Sequence, residues 1–331
     1  IFTRNQAADV TTLLSRATGA AGAKGNGNSA DPSINSNGAA VAFESEASNL
    51  DPADLDVQSD IFTRFGITTT YISRATGAAG VASNGNSSDP SLADNGAVTF
   101  ESFASNLHPD DPDTDGDIFV RSGTTTTYIS RATGAAGAAG NDSSLDPAIS
   151  ADGRFVAFWS FATNLVAGDS NGVPDIFLRD TAFNTTILVS RASGAAGAPA
   201  NFGSSVPAIS ANGRFVAFSS AATNLVPADT HLSSDVYVRD TVSNYTVQVS
   251  LKSDGTPPLG DGSTSPSISA DGRTVAFSST LNLVPQDSNF LSDIYVRHAD
   301  SDLDGVLEPH DNCQSTANAD QLDTDADGLG D

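Results

Sequence analysis

The phrase Asp60-Ile61-Phe62-Thr63-Arg64 returns with small changes at Asp117, Asp175, Asp235 and Asp293, at intervals of 57, 58, 60 and 58 residues. A fixed period of this length confines the chain to a repeat architecture, in which each unit is one small element that buries its apolar faces against its neighbours. Every unit carries four short alternating runs, clearest at Pro147 to Ser150, Arg154 to Trp159, Asp175 to Arg179 and Thr185 to Ser190. Alternation with period two marks a half-buried strand, so each unit is predicted to hold four antiparallel strands, here lettered a to d. Between a and b lies Ala151-Asp152-Gly153, repeated as Ala211-Asn212-Gly213 and Ala270-Asp271-Gly272. Asp-Gly and Asn-Gly supply the positive φ that a tight hairpin needs. The c–d turns run through Ala182-Phe183-Asn184 or Gly123-Thr124-Thr125. No window has a helical period, and stretches such as Gly25 to Ser29 would interrupt one. The expected fold class is all-β.

Two packings suit such units: radial closure into a β-propeller of five or six four-stranded blades, or a string of separate small sheets. Closure protects the strand edges, which favours the propeller. The runs Ser150-Ala-Asp-Gly-Arg-Phe-Val-Ala-Phe158 and Asp235-Val-Tyr-Val-Arg-Asp240 resemble the WD40-like (PD40) propeller repeat of the TolB type. The resemblance covers residues 1–297 and is strongest from Pro147 onward. It is weaker in the first two units, where Asn35 to Ala39 and Ala93 to Ala97 lack the Arg that follows Gly elsewhere. It implies a propeller domain over residues 1–298.

Strand c is in surplus. The a/b pairs begin near residues 32, 90, 147, 207 and 266, whereas c occurs at 1, 61, 118, 176, 236 and 294. Either the amino-terminal c and d runs complete the unit begun at 266–279 and leave Ile294 to Arg297 over, or a further blade is incomplete. Both alternatives leave an unpaired edge, and exposed edges recruit partners. A neighbouring copy is one such partner, giving head-to-tail growth. The other explanation is a chain cut from a longer one, in keeping with a start at Ile1 and the lack of any Met.

Between b and c each unit has a 12-residue loop that opens Asn-Leu and closes on Asp: 49–60, 106–117, 164–175, 224–235 and 282–293. Of the 30 acids before residue 300, these loops hold 15. The spacing recurs as Asp54/Asp56/Asp60, Asp111/Asp113/Asp117, Asp169/Asn171/Asp175, Asp229/His231/Asp235 and Asp287/Asn289/Asp293. Positions 1, 3 and 7 carry oxygen ligands apart from His231. Hard cations such as Ca2+ take six to eight oxygens from closely spaced side chains and carbonyls. Asp111, Asp113 and Asp117 in the second loop, with five acids, are the leading set, joined by Asp169, Asn171 and Asp175. The alternative is that the last Asp only caps the start of strand c. The d-to-a crossings open Ser-Arg-Ala-Thr-Gly-Ala-Ala-Gly at Arg16, Arg74 and Arg131, with Ser193 for Thr after Arg191. Pairing of these Arg with nearby Asp is the expected explanation.

Residues 300–331 hold ten acids and no Lys or Arg. Without cations such a segment repels itself. Its order is Asp300-x-Asp302-x-Asp304-Gly305, then Glu308, Asp311-Asn312-Cys313, and Asp323-x-Asp325-x-Asp327-Gly328-x-Gly330-Asp331. Alternate Asp side chains converge on one ion while Gly permits the sharp turn. This order is similar to a thrombospondin type 3 repeat, with Glu308 standing for the usual Asp. The resemblance implies a calcium-wrapped linker over residues 299–331 with little secondary structure. One ion would take Asp300, Asp302, Asp304, Glu308 and Asp311, and another Asp323, Asp325, Asp327 and Asp331. In that family the cysteine pairs with one in an adjacent repeat; Cys313 is the only cysteine here, and is free, intermolecular or paired beyond residue 331. Extracellular calcium modules have affinities of about 10⁻⁴ to 10⁻³ M, so an extracellular or cell-surface location is inferred.

With 40 acids against 15 bases the formal charge is −25, which excludes nucleic-acid or anionic-membrane binding through basic patches. No apolar run is long enough to span a membrane. Four sequons, at Asn86, Asn141, Asn184 and Asn244, would accept glycans in a suitable host. The four histidines, His108, His231, His298 and His310, form no catalytic constellation, and no nucleophile elbow, phosphate loop or paired-Cys site occurs. The expectation is a non-enzymatic, calcium-stabilised extracellular structural module that self-associates head to tail. A propeller that recognises glycans or proteins, with Trp159 in a central pocket, is the alternative, ahead of a secreted polysaccharide-active enzyme.

Overall fold

The computed structural model describes residues 1–111, 113–227, 229, 231–258, 260, 262–289 and 291–299. All regular elements among them are strands. The acids assigned to the carboxyl-terminal linker, from Asp300 to Asp331, lie outside the described residues.

A hairpin of β1 (Phe2–Asn5) and β2 (Val10–Leu13) opens the chain as a two-stranded sheet. Four-stranded sheets follow, and the first holds β3 (Ser29–Ile34), β4 (Ala40–Ser45), β5 (Asp60–Phe65) and β6 (Thr68–Tyr71). The second holds β7 (Ser87–Leu92), β8 (Val98–Ser102), β9 (Asp117–Ser122) and β10 (Thr125–Tyr128). The third is β11 (Ser144–Ile149), β12 (Phe155–Ser160), β13 (Asp175–Asp180) and β14 (Thr185–Leu188). The fourth is β15 (Ser204–Ile209), β16 (Phe215–Ser220), β17 (Asp235–Asp240) and β18 (Tyr245–Gln248). A three-stranded sheet of β19 (Ser263–Ile268), β20 (Thr274–Ser279) and β21 (Asp293–His298) ends the described chain. The expected four-strand antiparallel unit is therefore present, in sequential order.

Sequence accounts for these sheets directly. The Asp152 side chain accepts from Ser150 Oγ at 2.6 Å and from the Arg154 amide at 3.0 Å, while Gly153 takes φ +76°, so the a–b hairpin closes on Asp-Gly as expected. In the four-stranded sheets strands b and c are largely buried on both faces; in β16 and β17 every residue is buried. Sheets stacked face to face explain this continuous burial better than a half-solvated sheet would. Facing b and c aromatics stack across the ladder, as Phe43 on Phe62 at 6.0 Å, Phe100 on Phe119 at 5.9 Å and Phe218 on Tyr237 at 5.8 Å. Strand a carries a bulge, as between Ala30 and Ser33. The residue before its Pro has positive φ: Asp31 +44°, Asp89 +50°, Asp146 +47°, Val206 +52° and Ser265 +55°.

Packing divides the chain into two compact units, Ile1–Gly172 with Phe177–Ile187, and Val173–Ile176 with Leu188–Asp331. In the first, Leu14, Phe43, Leu50, Phe62 and Tyr71 form one core cluster, and Ile61, Leu92, Phe100, Leu107 and Phe119 another. In the second, Phe215, Val236, Val238, Val275, Phe277 and Leu283 form the core.

The repeated Arg of strand c secures the crossing loop of the preceding repeat. Arg121 donates to the carbonyls of Arg74 (2.9 Å), Ala75 (3.0 Å) and Gly77 (2.9 Å) and to Thr126 Oγ1 (2.8 Å). Arg64 and Arg239 repeat the pattern on the loops at Arg16 and Arg191. The crossing-loop Arg also bonds backbone: Arg16, Arg74, Arg131 and Arg191 each donate to a Gly carbonyl six residues on. Among the described residues, of these four only Arg131 reaches an Asp, at Asp110 (3.1 Å), which corrects the expectation of Arg to Asp pairing. At Gly137 a Cβ would lie 1.9 Å from the Ala132 carbonyl oxygen, so the second Gly of the phrase is required sterically.

The surplus strand resolves in favour of its own unit. Strand β21 pairs with β20 over six residues from Thr274↔His298 to Ser279↔Asp293, and the amino-terminal hairpin is a separate sheet. The alternative in which that hairpin completes the unit begun at 266–279, leaving Ile294 to Arg297 over, is not adopted. No fourth strand covers β21 among the described residues, and Ile294 and Val296 are 73% and 62% exposed where Val236 and Val238 are fully buried.

Candidate metal centres

Each b–c loop is anchored by its Leu, with Leu50, Leu107, Leu165, Leu225 and Leu283 all buried. Beyond the anchor the first Asp closes a turn. Its amide donates to the carbonyl three residues back, from Asp54 to Asp51 (3.2 Å), Asp111 to His108 (3.2 Å), Asp229 to Val226 (3.3 Å) and Asp287 to Val284 (3.1 Å). Its carboxylate then accepts the amide two residues on, at Asp56 (3.3 Å), Asp113 (3.3 Å), His231 (3.1 Å) and Asn289 (3.3 Å). The turn thus points position 1 inward and places position 3 beside it.

The last Asp opens strand c and is held by a Ser just after strand d. Ser73 donates to Asp60 (2.7 Å), Ser130 to Asp117 (2.6 Å), Ser190 to Asp175 (2.6 Å) and Ser250 to Asp235 (2.6 Å). In each case the acceptor is Oδ1. Asp60 and Asp235 are fully buried, and the second oxygen of each has no hydrogen-bond partner. Asp169 is also buried with an unpartnered Oδ1. A buried carboxylate oxygen left unpaired costs about 1–3 kcal/mol or more, so a capping role alone leaves these oxygens unexplained.

Three of the predicted triads bring ligand atoms together within 4.8 Å: Asp54/Asp56/Asp60, Asp111/Asp113/Asp117 and Asp229/His231/Asp235. Burial dominates their electrostatics. It pushes Asp54 up to about 6, with Asp60 adding to the rise, and raises Asp60 against the bonds from Ser83 and Ser73. Asp111 rises to about 6 and Asp117 to about 7 for the same reason. Carboxylates crowded out of water in this way hold their charge poorly alone and favourably around a cation.

One acidic group escaped the sequence reading. Asp89, Glu101 and Asp146 also lie with ligand atoms within 4.8 Å of one another, on strands a and b. The Asp146 amide donates to Glu101 Oε2 at 3.3 Å, and burial pushes Glu101 up to about 7. The signal was the recurring Asp-Pro of strand a, at Asp31, Asp89 and Asp146, which reads as turn chemistry until the bulge is known. Trp159 donates from Nε1 to Asp146 at 2.7 Å.

No family model and no curated protein matches the sequence. Among solved structures the chain is similar to TolB from Acinetobacter baumannii, at 15% identity and a TM-score of 0.46 over 84% of this chain. It spans 53% of that protein's length. It is also similar to putative TolB from Agrobacterium tumefaciens (13% identity, TM-score 0.47, 82% of this chain and 77% of that one). Oligogalacturonate lyase in complex with manganese gives 12% identity and a TM-score of 0.47, over 90% and 70% of the two chains. At such identities and TM-scores no activity, ligand or partner passes from these proteins to this chain.

Proposed function

We propose that this chain is a non-enzymatic structural module whose repeated sheets are stabilised by divalent cations, chiefly calcium, held in the b–c loops. The observation that carries this reading is Asp60: a fully buried carboxylate with one oxygen fixed by Ser73 and the other unpaired beside Asp54 and Asp56. Oxygen-rich clusters of this kind suit a hard cation. The carboxyl-terminal acids from Asp300 to Asp331 extend the same chemistry, and together with the loops they support a location outside the cell, where calcium is abundant. Thermal unfolding with calcium and with chelator tests it. Calcium is expected to raise the midpoint of the native chain, and Asp117→Asn to lose part of that rise; an equal midpoint in both conditions would contradict the reading.

Self-association is the accompanying reading, and the open edge of β21 favours it. Ile294 and Val296 present an apolar strand face whose counterparts Ile118 and Val120, Ile176 and Leu178, and Val236 and Val238 are buried. A second copy of the chain is the partner that matches a repeat-built sheet. Negative-stain electron microscopy is expected to show filaments that shorten in chelator, and Ile294→Lys to disperse them. Isolated particles in all conditions would exclude the head-to-tail arrangement and leave glycan or protein recognition as the next reading.

A further inference from the structure

The fourth b–c loop differs from the others in ligand chemistry. Where the first and second loops place Asp56 and Asp113, it places His231, between two Asp whose carboxylates are buried. His231 Nδ1 lies 3.6 Å from Asp229 Oδ1 and 3.6 Å from Asp235 Oδ2. Both ring nitrogens of His231 are buried without a hydrogen-bond partner, and so is Asp235 Oδ2. Asp235 itself is fully buried, so the unpaired oxygen aimed at the imidazole is an observation independent of the cluster.

The surroundings hold this group in place. Tyr237 donates to Asp229 Oδ2 at 2.5 Å, and Ser250 to Asp235 Oδ1 at 2.6 Å, each leaving one oxygen directed at His231. Neither of the buried amide atoms of Gln248 has a hydrogen-bond partner. Gln248 also lines a cavity of about 640 Å³ with Leu225, Val226, Thr246 and Pro257.

We infer that Asp229, His231 and Asp235 form a site for a first-row transition metal of the zinc class, separate in preference from the oxygen-only loops. Imidazole nitrogen with two carboxylates suits zinc and its neighbours, whereas calcium selects oxygen alone. Gln248 Oε1 or water would complete four-coordination. The fixed partners of Asp229 and Asp235 supply the outer contacts that orient such ligands. The inference does not rest on calcium binding in the other loops.

Equilibrium dialysis of the full chain against micromolar Zn2+, with millimolar Ca2+ present, tests it. The native chain should retain one zinc per chain that His231→Asn lacks, its affinity falling by about 10- to 100-fold or more. His231→Asp recreates the ligand order of the second loop, and should lose zinc and gain a calcium. Zinc retained equally by both variants, zinc displaced by calcium, or no zinc on the native chain would overturn the inference. Calcium bound by the remaining loops is read in the same samples, so the two metals succeed or fail separately.

Discussion

Glu101 shows how far one side chain departs from its free chemistry. It is 6% exposed, and burial together with the charge of Asp89 raises its carboxyl from 4.5 to about 7. Below pH about 4.5 it is neutral in folded and unfolded chains alike, and its burial is unopposed. As pH rises from there through about 7 the unfolded chain ionises first, so the stability that the neutral form contributes is lost. Glu101→Gln is therefore expected to stabilise the metal-free chain above pH 7 and to flatten the fall between pH 5 and 8, read from urea midpoints. An unchanged slope would show that Glu101 carries no such penalty. Sequence alone marked the loop acids through their 1, 3, 7 spacing, but Glu101 has no spacing signal, since its partners come from two strand-a bulges in different repeats.

At the scale of the element, the sheets were legible and their fastenings were not. Alternating apolar runs and Asp-Gly turns announced four strands per unit, because both reflect local backbone geometry. The Arg of each strand c was visible as a repeated letter, yet its partners are main-chain carbonyls, which leave no trace in side-chain identity. Arg121 binds three of them at once from two nitrogens, Nη1 and Nη2, a spread that the single nitrogen of a Lys ammonium does not match. Arg121→Lys is expected to cost about 1–3 kcal/mol through carbonyls left unpaired, measured by denaturant unfolding. A cost near zero would mean that the crossing loop is held by packing alone. The same reasoning explains the misread Arg of the crossing loop, for which an acid partner was expected and a Gly carbonyl was found.

For the whole molecule, a formal charge of −25 sets the problem that cations solve. Self-repulsion on that scale weakens a compact chain, and binding to the folded state alone offsets it by about 2.7 kcal/mol for each site at a hundredfold excess over its dissociation constant. The repeat period made the sequence of sheets readable from end to end, whereas the fate of the surplus strand depended on pairing between distant segments, which no local pattern encodes. The buried, unpaired oxygens of the b–c loops are proposed as cation ligands. Anomalous difference density from crystals grown in calcium tests this most directly. Peaks are expected at Asp54/Asp56/Asp60 and Asp111/Asp113/Asp117, with Asp60 Oδ2 about 2.3–2.6 Å from the ion. Density without a peak at either loop, with Asp60 Oδ2 bonded instead to water or to another side chain, would contradict it.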